Sequence, residues 1–218
     1  ARFLRNIIVG LKAGKDGYNL WLKGPAGTGK SKLALFAAQL IKSDAYIDTL
    51  TPQTDESQLK GDLKPFYHED SDQIGFKNVP SQLVEAIKNS QAGKQTVMIL
   101  DEAAFARPDV LEELNSMIDH HGGLWVINNK GDMEFLKIPK KFHLIMISNT
   151  YGYHGVQLQS DALRSRTHEI FMDFEFKNEE LATLLRVNEN PMPEELAKSV
   201  ALSLETTRAV FVANGLSE

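Results

Sequence analysis

The sequence predicts an α/β protein built on a parallel central sheet, followed by a small all-helical domain. Three observations carry that expectation. The run at 96–100 has the continuous apolar character of a strand buried on both faces of a sheet, and 18–22 and 142–147 also read as buried strands. Segments with apolar residues at helical spacing alternate with these runs, as right-handed crossovers between parallel strands require. After Phe174 the strand signals stop, and 178–187, 193–202 and about 206–216 all read as helix. The boundary is expected near 175–177, giving domains 1–175 and 176–218.

Composition fits this architecture and excludes several classes. At 218 residues the chain is one large domain, or a main domain with a small appendage. Its 42% hydrophobic and 24% charged residues suit a globular protein with an ordinary core. There is no cysteine, which removes disulfides, thiol catalysis and cysteine-bound zinc. No apolar run approaches the ~20 residues that cross a bilayer, and no leader is evident, so a cytoplasmic setting without membrane contact is expected. A net charge of −5 argues against non-specific wrapping of nucleic acid. It leaves open a basic channel formed only on assembly.

Taken in order, Phe3, Leu4, Ile7, Ile8 and Leu11 fit one face of a short helix ending at Gly14. The strand at 18–22 leads into a glycine loop, after which Leu33, Phe36, Ala37, Leu40 and Ile41 recur at helical spacing to about Ser43. Residues 45–50 make a second strand. The stretch 51–75 is polar and broken by Pro52, Gly61, Pro65 and Gly75, and so long a segment inside a compact domain points to function. A helix over 81–91 carries Leu83, Val84 and Ile87 on one face. The run 96–100 ends in Asp101 and Glu102. Pro108 then opens a helix whose stripe is Val110, Leu111, Leu114, Met117 and Ile118, ended by Gly122 and Gly123. Residues 124–127 and 134–138 flank Asn128, Asn129, Lys130, Gly131 and Asp132, which reads as a hairpin. The strand at 142–147 ends in Ser148, Asn149 and Thr150. Ser160 caps a short helix through Leu163, and 168–174 is a last strand.

The glycine loop carries the chemistry. Gly24, Pro25, Ala26, Gly27, Thr28, Gly29, Lys30 and Ser31 fit the phosphate-binding pattern G-x-x-x-x-G-K-S/T, with a strand before and a helix after, which is the context the motif needs. Glycines let the backbone curl so that successive N–H groups point inward at phosphate oxygens, and the helix start adds a positive dipole. Lys30 can reach the β- and γ-phosphates, and the Ser31 hydroxyl can sit on Mg²⁺. ATP with Mg²⁺ is the expected ligand. An acid directly after a buried strand lies beside such a loop, so Asp101 is expected to hold the metal shell. Glu102, one residue on, is placed to polarise a water for attack on the γ-phosphate. In an open parallel sheet ligands bind at the carboxyl ends of the strands, where Gly24, Asp101 and Asn149 all fall.

These residues resemble the AAA+ ATPases, in the MoxR-type and midasin-like branch. The loop matches the family's phosphate loop. Met98-Ile99-Leu100-Asp101-Glu102, followed by Arg107-Pro108-Asp109-Val110-Leu111, is similar to its Walker B strand and the next helix. Residues 142–150 resemble the strand carrying the sensor-1 asparagine, 158–166 the segment carrying an arginine finger, and Thr206-Thr207-Arg208-Ala209 the start of the lid helix with the sensor-2 arginine. The matches come in family order and span nearly the whole chain. The resemblance implies a three-layer P-loop NTPase sandwich with a helical lid. It implies that Asn149 shares the attacking water with Glu102, and that Arg164 or Arg166, Arg166 being favoured, acts on a neighbour's γ-phosphate. Arg208 would contact the nucleotide from the lid. Thr167 stands where the family carries an aromatic.

The resemblance further implies a ring, with a hexamer expected, that hydrolyses ATP at subunit interfaces and remodels a protein partner. In relatives the inserts corresponding to 51–75 and 124–138 face a central pore, which makes Phe66, Tyr67 and Trp125 candidate contacts, with core packing an equal prospect for Trp125. The runner-up reading is a nucleic-acid-directed motor or a nucleotide-gated subunit of a restriction, defence or phage system, with GTP as well as ATP open as its nucleotide. His68 with Glu69 and Asp70, and His120 with His121, read as a solvated loop and a helix end respectively, not as metal sites.

Overall fold

The computed structural model describes residues 2–13, 19–68, 73–119, 122–128, 131–149 and 161–172, together with 193 and 195. The chain separates into two compact units, Ala1–Met172 and Asp173–Glu218. Apart from residues 193 and 195, the helices expected beyond residue 176 lie outside the described residues, as does Arg208.

The first unit opens with α1 (Arg2–Lys12), β1 (Leu20–Lys23), α2 (Lys30–Leu40) and β2 (Asp44–Thr49). Next come α3 (Glu56–Lys60), β3 (Gly61–His68), β4 (Gln73–Pro80) and α4 (Gln82–Gln91). They are followed by β5 (Thr96–Asp101), a 3₁₀ turn at Ala103–Phe105, α5 (Pro108–Met117), β6 (Gly123–Ile127) and β7 (Met133–Lys137). The unit closes with β8 (Phe142–Ser148), α6 (Asp161–Ser165) and β9 (His168–Phe171).

Five strands form one parallel sheet in the order β2-β5-β8-β1-β9. The three inner strands are buried along their lengths, which is why each is mostly apolar, with Lys23, His143 and Ser148 as buried polar exceptions. Strand alternation divides their side chains between two cores. Trp21, Met98, Leu100, Leu144 and Met146 face α4 and α5, whereas Leu20, Leu22, Val97, Ile99, Ile145 and Ile147 face α1 and α2. The outermost strand β2 is mostly exposed. This layering holds the carboxyl ends of β1, β8 and β5 side by side.

The stretch 51–75 departs from expectation. Its described residues form α3, the strand β3 and the start of β4, which pairs with β3 antiparallel. The Asp55 carboxylate caps α3 by accepting from the Gln58 amide at 2.9 Å, with the Gln58 side chain reaching back to close a capping box. A two-stranded ribbon buries neither face against the main sheet, and the short alternation at Ile74 and Phe76 leaves both side chains exposed. Pro65 sits opposite Phe76, in a ribbon where each strand has a free edge and a missing N–H is tolerated. The second hairpin, β6 with β7, forms close to the expected positions. Its Leu124, Val126 and Leu136 enter the core, while Trp125 projects outward at 51% exposure against Phe135, ring centroids 5.1 Å apart. Core packing of Trp125 is therefore not what the structure adopts. Tyr67 is also exposed, and the Lys77 ammonium lies 5.9 Å from the Phe66 ring.

Candidate active site at the carboxyl ends of the inner strands

β1 ends at Lys23, and the glycine loop carries the chain into α2 at Lys30. Gly24 must be glycine because a β-carbon there would lie 1.8 Å from the Met172 carbonyl oxygen. Gly27 and Gly29 adopt φ of 80° and 79°, the left-handed region that glycine enters without penalty. Pro25 is half-buried and Ala26 exposed, so the loop turns its backbone rather than bulky side chains to the site. The Thr28 hydroxyl is buried and donates to the Pro25 carbonyl at 3.0 Å. As first residues of α2, Lys30 and Ser31 present amides with no carbonyl partner inside the helix.

The Lys30 side chain is buried, and its ammonium donates to the Gly24 and Pro25 carbonyls, each at 2.8 Å, and to Asn149 Oδ1 at 3.1 Å. Burial lowers its pKa, against the opposing pull of Glu102 and Asp101. The Ser31 hydroxyl donates to Asp101 Oδ2 at 2.5 Å. Asp101 closes β5, and its other carboxylate oxygen accepts the Glu102 amide at 2.9 Å. Glu102 takes the left-handed conformation, φ 55° and ψ 33°, before the 3₁₀ turn. Asn149, just beyond β8, turns its amide nitrogen to both Glu102 carboxylate oxygens at 3.3 and 3.4 Å. Burial, and then repulsion from Asp101, raise the Glu102 pKa, while Lys30 and Asn149 oppose the rise. A carboxylate tuned upward in this way is a better proton acceptor.

The donor set fits a nucleotide polyphosphate. A desolvated ammonium rests on loop carbonyls in a glycine cradle at a helix N-terminus, where anions are favoured. Ser31 Oγ and Asp101 Oδ2 are hard oxygens close enough to meet one Mg²⁺, an ion that takes few protein ligands and completes its shell with water and phosphate. Among the described residues no group of three or more histidine or acidic side chains is arranged to hold a metal.

The two arginines of the candidate finger segment differ in their anchoring. Arg164 is 53% exposed, with Nε donating to Glu169 Oε1 at 3.3 Å. Arg166 is 31% exposed, and its guanidinium donates to the Ala162 carbonyl at 2.9 Å, Asn115 Oδ1 at 3.1 Å and Asp119 Oδ2 at 3.5 Å. Sequence reasoning brought together the loop, Asp101, Glu102 and Asn149. It missed Lys23, whose buried ammonium sits 2.6 Å from Glu169 Oε1 and 4.7 Å from the Trp21 ring centroid. It also missed the bond from Trp21 Nε1 to the buried Ser148 hydroxyl at 2.9 Å, one residue before Asn149. A lysine ending an apolar strand was the only signal available for the first, and nothing marked the second.

Comparison with known proteins agrees with this geometry. Residues 19–167 match the AAA domain, dynein-related subfamily. An uncharacterised protein of Staphylococcus epidermidis is 26% identical over 200 residues, which is 92% of this chain and 72% of that protein. One from Staphylococcus aureus strain USA300 is 27% identical over 156 residues, 72% of this chain and 56% of the relative. The chain thus spans little more than half the length of the second relative. A crystal structure from Cytophaga hutchinsonii, of a protein to which ATPase activity is attributed, superposes with a TM-score of 0.60. That likeness covers 94% of this chain and 57% of the other at 17% identity, and it speaks to the fold. With the family model covering well over half its length, this chain belongs to the AAA+ ATPases, in the dynein-related AAA subfamily.

Proposed function

We propose that this chain is a MoxR-like AAA+ module that binds ATP with Mg²⁺, hydrolyses it at interfaces between subunits of a ring, and uses the resulting movement to remodel a macromolecular partner. The observation that carries the reading is the chain of contacts from Lys30 through Asn149 to Glu102, beside the Ser31–Asp101 pair. Mg²⁺ held by Ser31 and Asp101 would supply charge neutralisation on the β- and γ-phosphates. Lys30 exchanges its loop carbonyls for phosphate oxygens. Glu102 accepts the proton of the attacking water, and Asn149 fixes the direction in which that carboxylate faces. An arginine from the adjacent subunit, Arg166 or Arg164, meets the charge that develops as the phosphoryl group leaves.

The test is hydrolysis of ATP and of GTP against protein concentration, with an Arg164→Ala/Arg166→Ala variant alongside. A specific rate that climbs with concentration, favours ATP and collapses in the variant is expected of shared interface sites. A flat rate indifferent to the arginines removes the ring. A preference for GTP together with salt-sensitive DNA binding would move the assignment to a nucleic-acid-directed motor.

A further inference from the structure

The arginine that acts across the interface must be held in place before its neighbour arrives, because a transition-state donor works through preorganisation. Arg164 does not meet that requirement. Among the described residues its one side-chain acceptor is Glu169, whose same oxygen serves the buried Lys23 at 2.6 Å, and more than half of the arginine side chain is in solvent. Arg166 meets it, with three acceptors on its own subunit fixing the guanidinium plane.

Two of those acceptors come from one end of one helix. Asn115 lies in the last turn of α5 and Asp119 two residues beyond its end, and both side chains meet the Arg166 guanidinium. A carboxylate there gains nothing from the helix dipole, whose C-terminal end repels it. There it faces the Arg166 guanidinium, 3.5 Å away. α5 itself follows Asp101, Glu102 and the 3₁₀ turn with only two residues between, so the helix that begins beside the catalytic acids ends at the arginine.

We propose that Asn115 and Asp119 are positioning residues that orient Arg166 for the active site of the adjacent subunit. This rests on the interface reading above. It assigns the finger role to Arg166 and gives α5 the task of carrying it. The purely structural alternative is that Arg166 only ties α6 to the end of α5.

The test compares Asn115→Ala, Asn115→Asp and Asp119→Asn in the full chain by ATP hydrolysis, fluorescent-nucleotide binding and thermal unfolding. Asn115→Ala is expected to lower kcat by about tenfold to a hundredfold, the scale of a misplacement near 1 Å, with nucleotide affinity within about twofold. Asn115→Asp keeps an acceptor oxygen and should retain most of the rate; Asp119→Asn should fall between. Mixing decides between neighbour and self. Glu102→Gln subunits cannot hydrolyse but offer an intact Arg166, so titrating them into Asn115→Ala should raise the rate per Asn115→Ala subunit, as they should for Arg166→Ala. No rise with Asn115→Ala while Arg166→Ala is rescued would overturn the positioning role. So would equal losses of affinity and kcat. If Arg164→Ala abolishes hydrolysis and Arg166→Ala does not, this inference fails and the interface reading stands. If neither arginine matters, both fail.

Discussion

Glu102 is placed where its chemistry opposes the stability of the fold, and two substitutions separate the contributions. A residue with a β-carbon in the left-handed region is penalised by about 1–2 kcal/mol. Glycine removes that penalty, but its freer unfolded chain offsets about 0.5–1 kcal/mol of the gain. The hydrogen bonds that the Glu102 carboxylate accepts from Asn149 are long, at 3.3 and 3.4 Å, so removing them costs little. Glu102→Gly should therefore stabilise the protein by about 0.5–1 kcal/mol, a rise in Tm of roughly 1–4 °C for a domain of this size. Hydrolysis should fall at least about a hundredfold, the lower end of what a general base contributes. Glu102→Gln keeps the backbone conformation and removes only the charge. Because the folded protein raises the Glu102 pKa, ionisation is harder in the fold than in the unfolded chain, and wild-type stability declines as pH rises through that window. The Tm advantage of Glu102→Gln should accordingly be present at neutral pH and absent below the ordinary carboxylate range. Thermal unfolding across pH, paired with steady-state hydrolysis, reads both. A lower Tm for Glu102→Gly, with unfolding still a single transition, would refute the claim that this position is strained.

Other consequences concern the loop and its supports. Gly24→Ala drives a methyl group into the Met172 carbonyl and should destabilise the protein by about 3 kcal/mol or more, seen as a drop in the midpoint of urea unfolding. Ser31→Ala should raise the Mg²⁺ concentration needed for half-maximal hydrolysis while leaving metal-free nucleotide binding nearly intact; an unchanged Mg²⁺ titration would remove Ser31 from the metal shell. Burial holds the Lys23 pKa below that of a free lysine even with Glu169 beside it. The charged form is disfavoured in the fold, so stability should rise with pH in the alkaline range below the ordinary lysine pKa. Lys23→Met should shrink that rise in denaturation measured across the alkaline range below the ordinary lysine pKa, and Lys30, lowered for the same reason, contributes in the same direction.

Much of the site was legible because its determinants are local. A glycine loop, the strand before it and the helix after it are contiguous, and a turn that must curl its backbone around phosphate allows few residue types. The acids and Asn149 could be placed because mostly apolar runs identify inner parallel strands, and such strands bring their carboxyl ends to one edge. The hairpin of β3 and β4 was invisible for the opposite reason. Neither of its faces packs on the sheet, so its sequence carries only the brief alternation of Ile74 and Phe76.

What the sequence determined by itself was the glycine loop, the inner strands and the residues at their tips, since each depends on neighbours in the chain. What only the tertiary structure decided were contacts between residues far apart in sequence. The left-handed turn at Glu102 aims its carboxylate at Asn149, 47 positions away, and Lys30 reaches the same asparagine across 119. Lys23 finds its counter-charge on β9, and Arg166 finds its acceptors at the end of α5. Such pairs leave no trace in local pattern, because a polar side chain at a strand end or helix end satisfies the same propensities whichever partner it meets. Packing of the sheet and its two helical layers chooses the partner, and with it the electrostatics of the site.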